Sequence, residues 1–558
     1  MLLSGSDILV KTLIEQGCDT VFGYPGGQIL NVYDSLYTYR NEINHILTAH
    51  EQGAAHAADG YARTTGRAGV VISTSGPGAT NLVTGIATAY LDSIPMVAIC
   101  GNVPTTQIGT DSFQEIDITG ITLPITKHNY FVGDVKDLAD TVRKAFRLAL
   151  SGRPGPVLID VPKDVQIAKC EYEPGAPVER ETPYAAKDIR IEEAAKHINA
   201  ASRPFIYFGG GVIASNAQAE MLSLADKLDA PMGCSLMGLS AIPTDHPRFL
   251  GMQGMHGHFA SSMAMHQADL IISLGVRFND RVTGDPEKFA TGAKIIHIDV
   301  DGSELCKTVS AACGLRGDIK CTLQKLLPML SESKKPEWME KVAALREEEL
   351  RYLDNRDGLT PRQVILELNR HLGENTAVCT DVGQHQMWSA QSLRFKTPRR
   401  FVSSGGLGTM GYGLGAAIGA TFGTRERSVL VTGDGSFGMN LNELATAVKY
   451  NTPIVILIMN NGVLGMVRQW QTLFYNKHYS NSVLERKTDF TALAKAFGAD
   501  GEAVSTPEEL TAALTRAFDQ TEGPYVIDCR IDKDEFVLPM LPPGGSMDEI
   551  ITKLEVTL

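Results

Sequence analysis

The stretch Val429-Leu430-Val431-Thr432-Gly433-Asp434-Gly435 decides the reading of this chain. A short run with strand character ends in an aspartate held between glycines. A second stretch, Ile454-Val455-Ile456-Leu457-Ile458-Met459-Asn460-Asn461, has the same form and ends in an amide pair. Runs that are apolar on both faces belong to parallel sheets covered by helices on each side. Such sheets bind ligands beyond the carboxyl ends of their strands, where Asp434 and Asn461 fall. A carboxylate and an amide carbonyl are hard oxygen donors, and a pair of them that leaves positions for phosphate oxygens and water suits Mg²⁺. The flanking glycines let the backbone approach a diphosphate. Gly-Asp-Gly alone is a common turn; its pairing with a second polar strand end makes the pattern specific.

The same grammar extends outward in both directions. In a first block, the period from Ile8 to Glu15 predicts a helix, and Thr20 to Gly23, Gly69 to Thr74, Pro95 to Cys100 and Val157 to Val161 predict strands. A Pro- and Glu-rich linker, 171–190, follows. The second block has strands at Phe205 to Phe208, Leu270 to Leu274 and Lys294 to Ile298, with Gly209-Gly210-Gly211 closing the first. The highly charged stretch 331–357 predicts a solvated helix that bridges to the third block, whose further strands are Ala377 to Thr380 and Tyr525 to Cys529. The prediction is an α/β chain of three doubly wound parallel-sheet domains, spanning 1–168, 188–330 and 358–540. A length of 558 residues agrees, at ~150 residues per domain.

Lys and Arg number 51 against 64 Asp and Glu, a net charge of −13. That balance argues against nucleic acid as a partner, because a phosphate backbone requires clustered cations. The nine cysteines include no C-x-x-C pair, which predicts reduced thiols in a cytoplasmic setting. The uncharged stretch 401–424 is long enough to raise a membrane span, but it is Gly-rich and has no flanking aromatic belt. Gly411, Gly415, Gly419 and Gly423 recur there every fourth residue, which predicts close approach of a helix to its neighbour.

His50-Glu51-Gln52 opens an Ala-rich helix that runs to about Arg63. Taken alone, Glu51 is a first-turn acid complementing the helix dipole. Beside Gly-Asp-Gly and the distant Asn-Asn, however, the pattern resembles the thiamine-diphosphate enzymes. Tyr24-Pro25-Gly26-Gly27, Thr74-Ser75-Gly76-Pro77-Gly78, Phe113-Gln114-Glu115, Lys127-His128-Asn129, Gly254-Met255-His256-Gly257, Arg277-Phe278-Asn279-Asp280-Arg281 and Gly465-Met466-Val467-Arg468-Gln469-Trp470 occur in that order. Together they resemble the catalytic subunits of the acetohydroxyacid synthase (acetolactate synthase) family over almost the whole chain.

The resemblance implies a pyrimidine-binding domain, a central FAD-binding domain and a diphosphate-binding domain, with the cofactor held between the first domain of one subunit and the third of another. A homodimer or homotetramer follows, and a small regulatory subunit becomes a candidate partner. Glu51 would contact N1′ of the aminopyrimidine, and the Gly408 carbonyl would receive the 4′-amino group over a Met410 wedge. Gly383, Gln384, His385, Gly433, Gly435 and Ser436 would hold the diphosphate. Mg²⁺ would be held by Asp434, Asn461 and the backbone oxygen of Val463. Arg281 would bind the acceptor carboxylate, Trp470 would wall the acceptor pocket, and Gly27, Phe113, Gln114, Lys163, Met255, Val382 and Met466 would complete it. A structural FAD would meet Arg153, Gly209, Gly210, Gly211, Ser235, Leu236, Met237, His256, Gly275, Arg277, Asp299 and Asp318.

The implied reaction decarboxylates pyruvate and joins the remaining two-carbon unit to a second small 2-ketoacid. Gly406-Leu407-Gly408-Thr409-Met410-Gly411 is a literal G-x-G-x-x-G, but no acidic ribose partner follows at the required distance. The family reads Arg-Phe-Asp-Asp-Arg where this chain has Asn279, which leaves FAD affinity open. Pyruvate oxidase, the catabolic acetolactate synthase and a non-catalytic binding paralogue are the competing readings.

Overall fold

The computed structural model describes residues 1–179, 181–353, 356 and 358–553. Arg180 of the expected linker and Asp354, Asn355 and Asp357 of the charged stretch lie outside the described residues. Three six-stranded sheets organise the chain, and every strand pair within them is parallel. The first sheet runs Asn44–Leu47, Thr20–Gly23, Gly69–Ser73, Met96–Asn102, Pro156–Pro162, His128–Phe131 across its width. The third runs Phe401–Ser403, Ala377–Thr380, Ser428–Gly433, Ile454–Asn460, Tyr525–Arg530, Asp500–Val504. Counted along the chain, both have the order 2-1-3-4-6-5. The middle sheet runs Phe249–Met252, Met232–Cys234, Pro204–Phe208, Leu270–Leu274, Lys294–Asp299, Cys313–Arg316, which is the order 3-2-1-4-5-6. That is the order of dinucleotide-binding sheets, a distinction the uniform apolar runs do not reveal.

Each order has a point where successive connections leave in opposite directions, and the crevice there is the natural ligand site. In the third sheet it lies between Ala377–Thr380 and Ser428–Gly433, and in the first between Thr20–Gly23 and Gly69–Ser73. In the middle sheet it lies between Pro204–Phe208 and Leu270–Leu274. Central strands are apolar on both faces because both faces are covered: Val455 to Met459 are all buried.

The helix Glu51–Thr65 joins the outer domains. It begins where the His50 ring accepts a hydrogen bond from the Gln52 N–H at 3.0 Å, and ends at Gly66 with φ 71°. Its small residues pack on the helix Gly413–Thr424. A Cβ on Gly419 would lie 1.8 Å from the Ala57 carbonyl oxygen, and one on Gly60 would lie 2.2 Å from that of Ala416. Gly415 and Gly423 face the same helix; Gly411 sits in the preceding loop and faces Met439 instead. The fourfold glycine spacing is therefore a helix–helix seam for three of its four members. Among the described residues no helix is long and apolar enough to cross a membrane. The charged stretch does form a helix, Pro336–Glu349, but it is not solvated all round. Trp338, Val342 and Leu345 are buried on its inner face, and Trp338 donates its ring N–H to the Pro204 carbonyl at 3.1 Å.

Candidate functional site

At the switch point of the third sheet, strand Ala377–Thr380 runs through Asp381, Val382 and Gly383 into the helix Gln384–Ser392. Strand Ser428–Gly433 runs directly into Asp434. The His385 ring packs on the Gly433 backbone, where a Cβ would lie 2.9 Å from its Nδ1. Burial pushes the His385 imidazole down to about 3, so the ring is neutral, and its buried Nε2 has no hydrogen-bond partner. Ser436 Oγ donates to the Val382 carbonyl at 2.9 Å, Asn461 Nδ2 donates to Gln384 Oε1 at 3.4 Å, and Val463 N–H donates to Asn461 Oδ1 at 3.2 Å. Met410 reaches the same floor, its Cε 3.8 Å from where a Gly435 Cβ would be. Burial raises the Asp434 carboxyl to about 6.

A buried carboxyl, an amide oxygen, a backbone carbonyl and an orphaned imidazole nitrogen, set among glycines, fit a cation carrying a diphosphate. Among the described residues no three His, Cys, Asp or Glu side chains gather as a metal site. A donor set with one carboxylate suits Mg²⁺, which takes most of its ligands from phosphate and water.

The middle domain opens a cavity of about 1690 Å³ that extends to the third domain. A pocket for one ordinary small molecule is about 300–1,000 Å³, so this one has room for a dinucleotide and more. Arg153, Gly210, Gly211, Ser235, Leu236, Met237, His256, Gly275, Arg277, Asp299 and Asp318 line it, and so does Met255 from the expected acceptor pocket. Gly209 does not line it but sits behind, where a Cβ would be 2.6 Å from the Gly275 carbonyl oxygen. Asn279 lines the cavity, so the position that departs from the family motif faces the space. Three lining residues carry buried polar atoms without partners: Tyr207 OH, Gln253 Oε1 and His256 Nδ1. These orphaned groups fit a polar occupant. Asp299 is raised to about 6 by burial, and Arg153 is held by Ser93, Asp301 and Glu304 at 2.8, 3.2 and 2.9 Å.

At the cavity's other end lie Val382, Gly383, Gly408, Met466, Trp470 and Arg281. The Arg281 guanidinium sits 5.8 Å from the Trp470 ring, and Trp470 meets Phe474 edge-on at 5.7 Å. Among the described residues the exposed Arg281 has one ion-pair partner, the neighbouring Asp280, at 3.5 Å.

The remaining expected residues form a separate cluster at the switch point of the first sheet. Glu51 is buried and accepts from Asn81 Nδ2 at 2.9 Å. Its Oε1 is 3.1 Å from where a Gly78 Cβ would be, and Gly78 and Gly26 both rest on Thr74. Lys163 Nζ donates to the Gly27 carbonyl at 3.1 Å, and Gln114, with φ 63°, abuts Gly76. Phe113 is 84 % exposed. Glu51, Gly27, Phe113, Gln114 and Lys163 do not line the large cavity. Gln384, His385, Met410, Asp434 and Asn461 do not line it either, so the expected residues fall into three groups: the cavity, the cluster at the third sheet's switch point next to its Val382 and Gly383 rim, and the Glu51 cluster.

Sequence reasoning missed Asn81, the partner of Glu51, although it follows directly on the Gly76-to-Thr80 turn. It also missed Tyr207, which reads as one more apolar strand residue, and Asp381. Asp381 is buried, accepts from the Gly411 N–H at 2.8 Å and from Thr432 Oγ1 at 3.0 Å, and is raised to about 6.

Three family models match in order: the N-terminal thiamine pyrophosphate (TPP) binding domain of thiamine pyrophosphate enzymes at residues 3–121, the central domain at 191–326 and the C-terminal TPP binding domain at 381–529. The chain is 46 % identical to a probable acetolactate synthase large subunit of Methanocaldococcus jannaschii, covering 99 % of this chain and 96 % of the relative. It is 42 % identical to the acetolactate synthase isozyme 3 large subunit of Escherichia coli over the full length of both. It is 45 % identical to the acetolactate synthase large subunit of Corynebacterium glutamicum, covering 98 % and 90 %.

Proposed function

The chain belongs to the thiamine pyrophosphate enzymes, among the acetolactate synthase large subunits, and from that premise we propose how its residues divide the work. The activity is decarboxylation of pyruvate and transfer of the remaining two-carbon unit to a second 2-ketoacid. Pyruvate as acceptor gives acetolactate and 2-ketobutyrate gives acetohydroxybutyrate, the precursors of valine and isoleucine.

Thiamine diphosphate, when bound, supplies the electron sink that lets a 2-ketoacid lose CO₂ and its two-carbon remainder attack another carbonyl. Asp434, Asn461 and the Val463 carbonyl hold Mg²⁺; Gln384, neutral His385 and the glycines at 383, 433 and 435 hold the diphosphate. Ser436 fixes Val382 beside it. Met410 and the Gly408 carbonyl orient the aminopyrimidine, and Glu51 holds a proton at its N1′. Arg281 receives the acceptor carboxylate in the bidentate manner of guanidinium groups, while Trp470 excludes water on the side where a methyl or ethyl group lies. FAD fills the middle-domain cavity without net redox change. Relatives named as large subunits support a small subunit as partner.

The observation that carries this reading is the convergence of Asp434, Asn461 and the unpartnered Nε2 of His385 at the switch point of the third sheet. The test is product analysis after incubation with thiamine diphosphate, Mg²⁺, FAD, pyruvate and 2-ketobutyrate together. Both acetohydroxyacids are expected. Absence of CO₂ release would refute catalysis, and flavin bleaching at turnover speed under anaerobic pyruvate would identify an oxidase instead.

A further inference from the structure

A buried ion network lies where all three domains meet. Arg63 pairs with Asp59 at 2.5 Å and with Asp92 at 2.8 Å, and the side chains of both aspartates are fully buried. Tyr412 of the third domain donates to Asp59 at 2.5 Å. Asp92 closes the helix Val83–Asp92 and spends its remaining acceptor capacity on backbone. Oδ2 accepts from the Gly405 N–H at 2.9 Å and Oδ1 from the Gly406 N–H at 2.7 Å. A second tie from the same helix, Thr88 Oγ1 to Thr409 Oγ1 at 2.8 Å, fixes the far end of that loop. The clamped segment thus leads straight into Gly408 and Met410.

The same two glycines touch the middle domain. A Cβ on Gly405 would lie 2.5 Å from Met237 Sδ, and one on Gly406 would lie 2.9 Å from Leu91 Cβ, 3.0 Å from Asp92 Oδ1 and 3.1 Å from Arg277 Nη2. The adjacent Ser93 accepts from Arg153 Nε at 2.8 Å. Met237, Arg277 and Arg153 all line the dinucleotide-sized cavity, as do Arg63, Asp92, Gly405 and Gly406.

We propose that Asp92 is a positioning residue that couples occupancy of the middle-domain cavity by a flavin dinucleotide to the thiamine diphosphate loop, through its bonds to Gly405 and Gly406. The inference rests on the cofactor assignment above and adds a physical task for a flavin that undergoes no net redox change. An occupant that orders Met237 and Arg277 presses on the two glycines. Asp92 holds the same two glycines by their backbone N–H groups, so the loop leading to Gly408 and Met410 is set before thiamine diphosphate arrives. Two ligands that order one segment bind with positive cooperativity, and each must affect the other equally.

The test measures two bindings in the full-length protein, with Mg²⁺ present throughout. Thiamine diphosphate is titrated by quenching of tryptophan fluorescence, with and without FAD, and FAD occupancy is read from flavin absorbance. In the wild type FAD should tighten thiamine diphosphate binding by a factor within the ~5- to 150-fold range of ordinary couplings. Asp92→Asn keeps one oxygen for two N–H groups and loses the charge facing Arg63. It should still bind FAD, and its thiamine diphosphate affinity should no longer depend on FAD. Gly406→Ala keeps the carboxylate that faces Arg63 and crowds Asp92 Oδ1 and Leu91 with its Cβ; the same loss is expected, which carries the test if Asp92→Asn does not fold. An unchanged FAD effect in a folded variant would overturn the role of Asp92, as would absence of any FAD effect in the wild type. Failure of the wild type to bind thiamine diphosphate at all would overturn the cofactor assignment as well.

Discussion

Single substitutions at Glu51 and Trp470 test separately the roles proposed for them. Glu51→Gln keeps the shape and the Asn81 contact but cannot exchange a proton. Turnover should fall by roughly 10²- to 10⁴-fold, the usual weight of acid–base assistance, with FAD binding and melting temperature unchanged; near-normal turnover would remove the assignment. Trp470→Leu opens the wall beside Arg281. One methylene against an apolar wall is worth about 1–3 kcal/mol, so the preference for 2-ketobutyrate over pyruvate should drop by about tenfold or more. An unaltered product ratio in competition would place Trp470 elsewhere. Asp160 offers a pH test outside the chemistry. Burial lifts its carboxyl from 3.8 to about 7, against a 2.7 Å hydrogen bond received from Asn102 Nδ2. The folded chain then holds a proton that the unfolded chain has released, so stability falls as pH rises from about 4 to about 7, by up to about 1.4 kcal/mol per pH unit. Asp160→Asn removes that slope. The midpoint of the variant relative to wild type should therefore climb through this window, and a constant difference in denaturant titrations would contradict it. The site residues themselves were legible where a motif stands at a strand end, as with Asp434 and Asn461. Tyr207 and Asp381 were not, because a polar atom inside an apolar run shows its orphaned or buried state only after the sheet is assembled.

Among the elements, strands were the most legible. Leu270–Leu274 and Ala377–Thr380 have the bounds read from the sequence, because a strand covered on both faces is apolar almost throughout and admits only small polar residues such as Ser273. Strand order was not legible: the runs are alike in all three sheets, and the order depends on which helices cover which face. The helix seam was half legible. Glycine spacing announced close approach, but only packing shows that the neighbour is the helix that carries Glu51. This makes Gly419 a structural test of that element. Its Cβ would fall 1.8 Å from a backbone oxygen of the opposing helix, and overpacking of this kind costs about 1–3 kcal/mol or more. Gly419→Ala should lower the thermal midpoint, whereas Gly292→Ala, which meets nothing within 4 Å, should leave it in place. Equal midpoints for the two variants would mean that the helices are not held at this distance.

At the scale of the whole molecule, the separation of the Glu51 cluster from the cavity predicts a second copy. The Glu51 cluster at the first switch point does not border the cavity that holds Arg281 and Trp470, whereas the proposed reaction uses both. Large apolar side chains are exposed in both outer domains: Tyr24, Leu30, Ile108, Phe113, Ile121 and Leu123 in the first, and Met439, Val467, Phe474 and Tyr475 in the third. Apolar groups grouped in this way mark association surfaces. In a two-fold dimer each surface meets its complement twice, and two equivalent sites form, each from the first domain of one chain and the third domain of its partner. A mixing experiment reads this directly. Glu51→Gln disables only the first-domain half, and Asp434→Asn only the third-domain half. Neither variant alone should turn over pyruvate at more than a small fraction of the wild-type rate. When the two are dissociated and reassembled together at equal amounts, half of the dimers are mixed, and each mixed dimer contains one site with both mutations and one site with none. Activity should return to about a quarter of the wild-type rate per chain, the value that two-fold symmetry dictates for random pairing. Absence of recovery, with mixed dimers demonstrated by differently tagged chains, would mean that each site is assembled within a single chain.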